Sequence, residues 1–580
     1  MSNNLPPQIA ERAAQWTKAP FDEATRQEVT EMLQNDPTSV TDAFYRDLEF
    51  GTGGLRGIMG AGTNRMNIYT VGMATQGLAN YLLKNYGPKR QISAVISFDS
   101  RNNNTLFANT VAGVLSANGI KVFIFDDIRP TPELSFAIRY LKCQTGIMIT
   151  ASHNPKEYNG YKVYWEDGAQ IIDPHDKGII GEVRAIKHVD EVKIAINPKL
   201  VETIGAEIDD AYLCMVSSLS IRPDLIKKHH NLKIVYTPIH GTGTRIAPMA
   251  LKKFGFDNII TVEKQMVPDG NFPTVHSPNP EEPAALKMAI EKAKATGASL
   301  VMATDPDADR VGIAIPDNKG DFILLNGNQT AAILQNYIIT QRKAKGDLTG
   351  KEYIVKTIVT TELLADMAHA EGIPCYDVLT GFKYIAGMIR SLEGKQTYLF
   401  GGEESYGYLI GDAVRDKDAV SACCMIAETA AWAADQGLTM FDILQQIYKK
   451  YGLYLEGLIS ITRMGKTGAE EIAAMMDMYR HTPPKTIDGA QVLIMKDYKL
   501  KKSTNFLTGE VSAIDLPISD VLQFFTTDGS KITIRPSGTE PKIKFYFGVK
   551  GVSGSSDLTT AENELRLKIE SIKNDMGLIK

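Results

Sequence analysis

The sequence of 580 residues contains few cysteines: Cys143, Cys214, Cys375, Cys423 and Cys424 are odd in number and lack the paired spacing of a zinc site. That pattern speaks against a disulfide framework and fits free thiols in a reducing compartment. No apolar run reaches the roughly 18 residues that a membrane span requires. The opening Met1-Ser-Asn-Asn-Leu-Pro-Pro has neither a basic nor an apolar stretch, so no secretion signal is read and a cytoplasmic location is expected. Excess charge is also missing: 63 Lys and Arg stand against 68 Asp and Glu, a net −5. Nucleic acid and anionic membrane are therefore not expected as partners. No low-complexity segment interrupts the chain.

What remains is a chain of ordinary apolar content, 43%, and too long for one core. The N-terminal stretch reads as helical, with caps at Asp22 and Asp36. Beyond it, strand-like runs alternate with helices. Residues 94–98, a helix over 107–118 stopped by Asn118-Gly119, and 121–125 form a βαβ pattern. The pattern returns at 232–236, 246–254 and 258–262, and again at 353–359, 362–371 and 374–378. Near the C-terminus, 531–535 and 542–547 alternate with a period of two, and a helix rich in Glu and Lys follows. This predicts a sheet solvated on one face. The expected fold class is α/β, with three similar α/β domains and a smaller C-terminal α+β domain; the expected boundaries are 1–207, 208–322, 323–445 and 446–580.

Two motifs carry chemistry. Thr150-Ala-Ser-His-Asn-Pro155 places one hydroxyl, Ser152, just after the apolar run 145–150. It lacks the Gly-x-Ser-x-Gly context of a hydrolase elbow, and its neighbour His153 is not made a base by adjacency alone. Asp305-Pro-Asp-Ala-Asp-Arg310 puts Asp305, Asp307 and Asp309 at alternate positions after the apolar run 298–303. Carboxylates so spaced can converge on a hard cation such as Mg²⁺. A solvated acidic turn is the plain alternative. An EF-hand is excluded because the sixth position has no Gly and apolar residues follow at once.

Four further clusters offer ligand contacts: Gly51–Gly57 with Arg56, Thr380-Gly381-Phe-Lys383, Gly401–Gly407 with Glu403 and Ser405, and Arg535–Glu540. The last supplies a guanidinium, hydroxyls and a glycine, a set suited to a phosphate dianion. Singly, each is as readily a surface turn.

In this order, the motifs resemble those of the α-D-phosphohexomutases, the superfamily of phosphoglucomutases and phosphomannomutases, over nearly the whole chain. The resemblance implies mixed sheets in four domains around a central cleft. It implies Ser152 as phosphoserine, with Asp305, Asp307 and Asp309 binding Mg²⁺ together with the phosphoserine oxygen. Glu403 and Ser405 would read sugar hydroxyls, and Arg535, Ser537, Gly538 and Thr539 would hold the non-reacting phosphate. Arg310, Thr380, Gly381, Lys383 and Lys417 would line the ligand site. Arg56 and Lys162 match the family's candidates for proton handling at the sugar oxygen, His153 is a further catalytic candidate, and which of the three handles the proton stays open. The sugar loop, Gly-Glu-Glu-Ser-Tyr-Gly, is closest to the phosphoglucomutase branch. The implied reaction interconverts glucose 1-phosphate and glucose 6-phosphate through glucose 1,6-bisphosphate. Phosphomannomutase, phosphopentomutase and glucose 1,6-bisphosphate synthase activities stay open as alternatives, and so does a sugar-phosphate-binding protein without catalysis.

Overall fold

The computed structural model describes residues 5–51, 53–87, 90–463, 465–537, 542–551 and 557–579. The chain divides into two compact units. The first comprises residues 1–325 and 406–432, the second 326–405 and 433–580.

The first unit opens with helices Pro7–Gln15, Glu23–Asn35 and Pro37–Phe44. Asp22 and Asp36 cap the second and third by accepting from the backbone N–H groups of Thr25 and Ser39. A sheet follows, made of β1 (Gly54–Ile58), β2 (Ser93–Phe98), β3 (Lys121–Phe125), β4 (Thr145–Ile149), β5 (Tyr158–Trp165) and β6 (Val201–Ile204), ordered β1-β5-β4-β2-β3-β6. The pairs β4–β2, β2–β3 and β3–β6 are parallel, while β5 runs antiparallel to β4 and β1. The unbroken burial of β4 follows from cover on both faces. Val71, Leu78, Phe107 and Val111 pack with Ile96, Ile147 and Ile149 on one side. Leu134 and Ile138 pack with Val95 and Met148 on the other.

The second sheet of this unit contains β7 (Ile234–Thr237), β8 (Ile259–Thr261), β9 (Leu300–Thr304), β10 (Val311–Pro316) and β11 (Phe322–Leu325), ordered β11-β10-β9-β7-β8. Here β7–β8 and β7–β9 are parallel, whereas β9 and β10 form an antiparallel hairpin with Thr304 opposite Val311. The hairpin loop is therefore 305–310, which draws its three aspartates into a tight turn.

The third sheet falls mainly in the second unit, where β12 (Glu352–Thr357) pairs in parallel with both β13 (Cys375–Val378) and β14 (Thr397–Gly402). The chain then re-enters the first unit with β15 (Tyr408–Ile410) and most of helix Ala419–Asp435. Tyr164 Oη donates to Asp416 (2.7 Å), Tyr212 Oη to Asp418 (2.8 Å) and Ser220 Oγ to Glu428 (2.6 Å), so this segment is pinned by buried polar contacts.

The C-terminal sheet of the second unit is β16 (Tyr454–Thr462), β17 (Thr486–Ile487), β18 (Ala490–Asp497), β19 (Lys502–Asn505), β20 (Val511–Ala513), β21 (Leu522–Thr526), β22 (Lys531–Pro536) and β23 (Lys542–Lys550). Its antiparallel order is β16-β23-β22-β21-β18-β19-β20, with β17 beside β18. The alternation read at 531–535 is real, but the polar face of β22 is not solvated. Lys531 Nζ donates to the carbonyls of Ile358 (3.1 Å) and Thr360 (2.8 Å), and Gln523 reaches Ile358 O (2.7 Å), so the loop after β12 covers that face. Among the described residues, no helix is long and apolar enough to cross a membrane.

Candidate active site

Within the first unit the two chemistry-bearing motifs meet. Both leave the C-terminal ends of neighbouring-sheet strands, β4 and β9, where ligand loops of α/β sheets lie. Ser152 has a left-handed backbone, φ 53°, and is 4% exposed. Its N–H donates to Thr150 Oγ1 (2.8 Å), which donates in turn to Asp99 Oδ2 (2.6 Å). Ser152 Oγ then lies 2.7 Å from Asp305 Oδ2 and 3.2 Å from His153 Nδ1.

The three aspartates are fully buried, and their carboxylate oxygens lie within 4.8 Å of one another. Asp305 Oδ1 accepts from the backbone of Asp309 (3.1 Å) and Arg310 (3.0 Å), which folds the loop around it. Asp307 Oδ2 accepts from Lys162 Nζ (2.7 Å) and Thr131 Oγ1 (2.9 Å). Asp309 Oδ2 faces Lys162 (3.4 Å) and Lys417 (3.2 Å). Asp307 Oδ1 and Asp309 Oδ1 are buried with no hydrogen-bond partner. Buried carboxylate oxygens left so are costly unless a cation takes them. An all-oxygen donor set of this kind fits a hard divalent ion.

Burial, with Asp307 and Asp309 alongside, raises the Asp305 carboxyl well above the usual carboxylate range. Burial alone would raise Asp307 too, but Lys162 outweighs it and holds Asp307 far below that range. Lys162 is held charged against its own burial by Asp307 and Asp309. Burial, then Arg310 and Arg56, drive His153 well below its ordinary value. Arg56 reaches this region because β1 pairs with β5: Arg56 lies opposite Gly160 and Gly54 opposite Lys162, which puts Arg56 and Lys162 on one face. Residues 54–57 of the Gly51–Gly57 stretch thus belong to β1. Gly54 is needed there for a close crossing, since a Cβ would sit 1.7 Å from Tyr161 O. Arg310 pairs with Glu281 (2.8 Å).

Several contributors were not marked in the sequence as site residues. Arg101, 3% exposed, donates to the carbonyls of Ser152 (2.6 Å), Pro155 (2.9 Å) and Tyr158 (3.0 Å) and to that of Asn154. Its signal was visible, for Asp99-Ser-Arg101 also leaves the end of an apolar strand. Asp416 accepts from Tyr164 and from Gln170 (3.0 Å) and lies 3.4 Å from Lys417 Nζ, so it orients that lysine. Gly241 backs the aspartate loop: a Cβ there would sit 2.4 Å from Pro306 Cα. The β7 loop that carries it left no such signal.

The second unit holds the remaining predicted residues. Glu403 accepts from Gly381 N–H (3.0 Å), which joins the sugar loop to the Thr380–Lys383 turn, and Gly381 has φ 121°. Thr380 Oγ1 is buried without a hydrogen-bond partner, and Lys383 Nζ lies over the Tyr384 ring. Ser405 is half-buried. Tyr546, missed in the sequence, brings the clusters together. Burial and Glu404 push its hydroxyl up to about 12, while Arg535 beside it pulls the other way. Ser537 N–H closes on Lys542 O (2.7 Å) at the neck of the β22–β23 turn. Gly538 and Thr539 lie outside the described residues.

Comparison with known proteins matches four successive domain families along the chain. Residues 47–190, 210–320 and 326–451 match the families described as phosphoglucomutase/phosphomannomutase alpha/beta/alpha domains I, II and III, and 481–555 match the C-terminal domain. A phosphoglucomutase of Staphylococcus haemolyticus is 38% identical over 511 residues, 87% of this chain and 91% of that one. One from Staphylococcus aureus is 38% identical over 512 residues, covering 88% and 91%. Among solved structures, the fold is shared with the open form of parafusin, a phosphoglucomutase from Paramecium (TM-score 0.68, 19% identity, 92% of this chain and 96% of that one). It is shared also with a phosphoglucomutase/phosphomannomutase family protein from Burkholderia thailandensis (TM-score 0.64, 19% identity, 90% and 97%). With four domain families matched in order and the serine and aspartate loops joined in one buried site, the chain belongs to the phosphoglucomutase/phosphomannomutase family and is an isomerase, a sugar-phosphate mutase.

Proposed function

We propose that the enzyme interconverts α-D-glucose 1-phosphate and glucose 6-phosphate through a phosphoserine at Ser152, with glucose 1,6-bisphosphate as intermediate and activator. The observation that carries this reading is Ser152 Oγ 2.7 Å from Asp305 Oδ2, whose loop neighbours Asp307 and Asp309 each keep a buried oxygen without a hydrogen bond. Asp305, Asp307 and Asp309, with the phosphoserine oxygen, would hold Mg²⁺, which when bound supplies positive charge against the transferring phosphoryl group. The five free cysteines agree with action in the cytoplasm.

The chemistry balances in two transfers. In the first, the bond from phosphorus to Ser152 Oγ breaks, a bond to the sugar O6 forms, and the O6 proton passes to the enzyme. The bisphosphate then turns end for end. In the second, the phosphoryl at O1 returns to Oγ and O1 takes a proton. Arg56, Lys162 and His153 are the proposed proton-handling groups. His153 Nδ1, 3.2 Å from Oγ, is placed within reach of a proton on the unphosphorylated serine. Lys417 and Arg310 would add positive charge where the phosphoryl group passes.

Sugar recognition is assigned to Glu403 and Ser405, with Thr380, Gly381 and Lys383 as further ligand contacts. The non-reacting phosphate is assigned to Arg535, Ser537, Gly538 and Thr539. Arg535→Lys keeps the charge but loses the fork that grips two phosphate oxygens. KM for glucose 1-phosphate is expected to rise about ten-fold or more, with kcat falling less, because the contact serves ground and transition states alike. Equal KM values in the two proteins would remove Arg535 from this role.

The test of the function is turnover of glucose, mannose and ribose 1-phosphates, each with a trace of glucose 1,6-bisphosphate. Highest kcat/KM on glucose 1-phosphate supports the reading. Preference for the mannose or pentose substrate replaces the sugar. Net bisphosphate synthesis from 1,3-bisphosphoglycerate, far faster than isomerisation, replaces the reaction.

A further inference from the structure

Arg101 is a buried cation that the mutase chemistry does not use. It lies at the C-terminal end of β2, with its own backbone N–H on Asp99 Oδ1 (2.9 Å) and its Nε 3.5 Å from Asp99 Oδ2. Instead of pairing chiefly with a carboxylate, it spends both terminal nitrogens on main-chain carbonyls. Nη2 takes Ser152 O (2.6 Å) and Asn154 O; Nη1 takes Pro155 O (2.9 Å) and Tyr158 O (3.0 Å). Four carbonyls of one short loop thus converge on a single planar group. A loop that turns its carbonyls inward on one cation has little freedom left in its peptide planes, and Ser152 sits at the start of this one with its φ of 53°. For a residue with a Cβ that backbone is unfavourable and persists only where the surroundings impose it.

A second domain closes over the same guanidinium. The Phe272 ring, 1% exposed and itself at φ 48°, lies 5.1 Å from Arg101 Cζ. Around it, Asn102 Nδ2 donates to Asn271 Oδ1 (3.1 Å), Ser277 Oγ donates to His153 O (3.3 Å), and a Cβ on Gly270 would lie 2.4 Å from Asn102 N. The loop 268–277, which precedes the aspartate-bearing hairpin in sequence, is therefore fitted against the serine loop at Arg101.

We propose that Arg101 is the positioning residue of the nucleophile loop. It gathers the carbonyls of residues 152, 154, 155 and 158, is clamped by Phe272, and so sets the backbone that aims Ser152 Oγ at Asp305. The inference rests on the mutase reading given above. Arg101→Lys retains a positive charge of similar reach but has no planar fork, and cannot serve four acceptors in two directions. Misplacement of a reacting atom by about 1 Å can cost on the order of 10²-fold in rate. Arg101→Lys is accordingly expected to lower kcat by about 10- to 100-fold with KM changed less than about three-fold, since the groups assigned to substrate binding are untouched.

The experiment measures kcat and KM on glucose 1-phosphate and, separately, amide hydrogen exchange of the free protein. Faster exchange confined to residues 151–158, with residues 303–312 unchanged, is expected for Arg101→Lys. A purely structural role would instead raise exchange across the first sheet. Phe272→Leu, which removes only the ring face over the guanidinium, is expected to show the same local exchange with a several-fold loss in kcat. If Arg101→Lys does not fold, Phe272→Leu decides. Unchanged kcat together with unchanged exchange at 151–158, in whichever variant folds, overturns the proposal. Wild-type protein that exchanges as expected but turns over no sugar phosphate would defeat the mutase reading instead, because the exchange measurement needs no substrate.

Discussion

Ser152→Ala is expected to lower kcat by roughly 10⁴- to 10⁶-fold, the scale on which enzymes lose rate when a covalent nucleophile is removed. The replacement is small enough to leave the loop in place. The four carbonyl contacts of Arg101 and the N–H bond to Thr150 belong to the main chain and survive it. What is lost is the hydrogen bond from Oγ to Asp305, worth about 1–3 kcal/mol when a buried partner is left unsatisfied. Folding should therefore stay cooperative while turnover vanishes. Intact mass after incubation with glucose 1,6-bisphosphate should show one added phosphoryl group on the wild type and none on the variant. A phosphoryl group mapped to another serine, with Ser152→Ala still active, would end the assignment.

Removal of the proposed metal should be nearly as severe. Excess chelator is expected to abolish turnover, and Mg²⁺ should restore it better than Ca²⁺, whose looser coordination holds a phosphoryl group less firmly. Asp307→Asn tests the protein's side of the site. It removes the carboxylate that Lys162 and Thr131 both address, and halves the negative charge facing Lys162 from Asp307 and Asp309. A loss in kcat of at least ~10²-fold is expected, with a higher Mg²⁺ concentration needed for half-maximal rate. Full activity in chelator, or a variant indistinguishable from wild type, would mean the orphaned oxygens of Asp307 and Asp309 serve another purpose.

Much of the candidate site's loop geometry could be read from local pattern. The runs before Ser152 and Asp305 are mostly apolar, and buried at every strand position, because β4 and β9 are covered on both faces, and such strands announce where a loop begins. The alternate aspartates needed only the hairpin β9–β10 to converge. Other features were illegible for physical reasons. Thr131 meets Asp307 across 176 residues and Tyr164 meets Asp416 across 252, and neither residue type advertises such a partner. Arg101 stood in a visible strand-end motif, yet its partners are carbonyls, which every residue owns and no sequence distinguishes. On β22 the alternation was correct and its meaning was not: a polar face can be buried when another loop brings acceptors to it, as Ile358 and Thr360 do for Lys531.

The return of residues 406–432 to the first unit has a consequence for the order in which the protein matures. During synthesis from the N-terminus, both sheets of that unit leave the ribosome before the segment that completes them. Until it arrives, the hydroxyls of Tyr164 and Tyr212 lack their acceptors, Asp416 and Asp418, and Asp309 lacks Lys417. These contacts span roughly 10² residues or more, so the loop-closure entropy is met late and in one step. A nascent chain halted at Leu325 holds Asp305, Asp307, Asp309 and Lys162 but not Lys417, so Asp309 has only one of its two lysines. Completion of the acidic pocket is thereby tied to translation of the intervening 326–405 segment, and a stall within it would leave Asp309 with Lys162 alone.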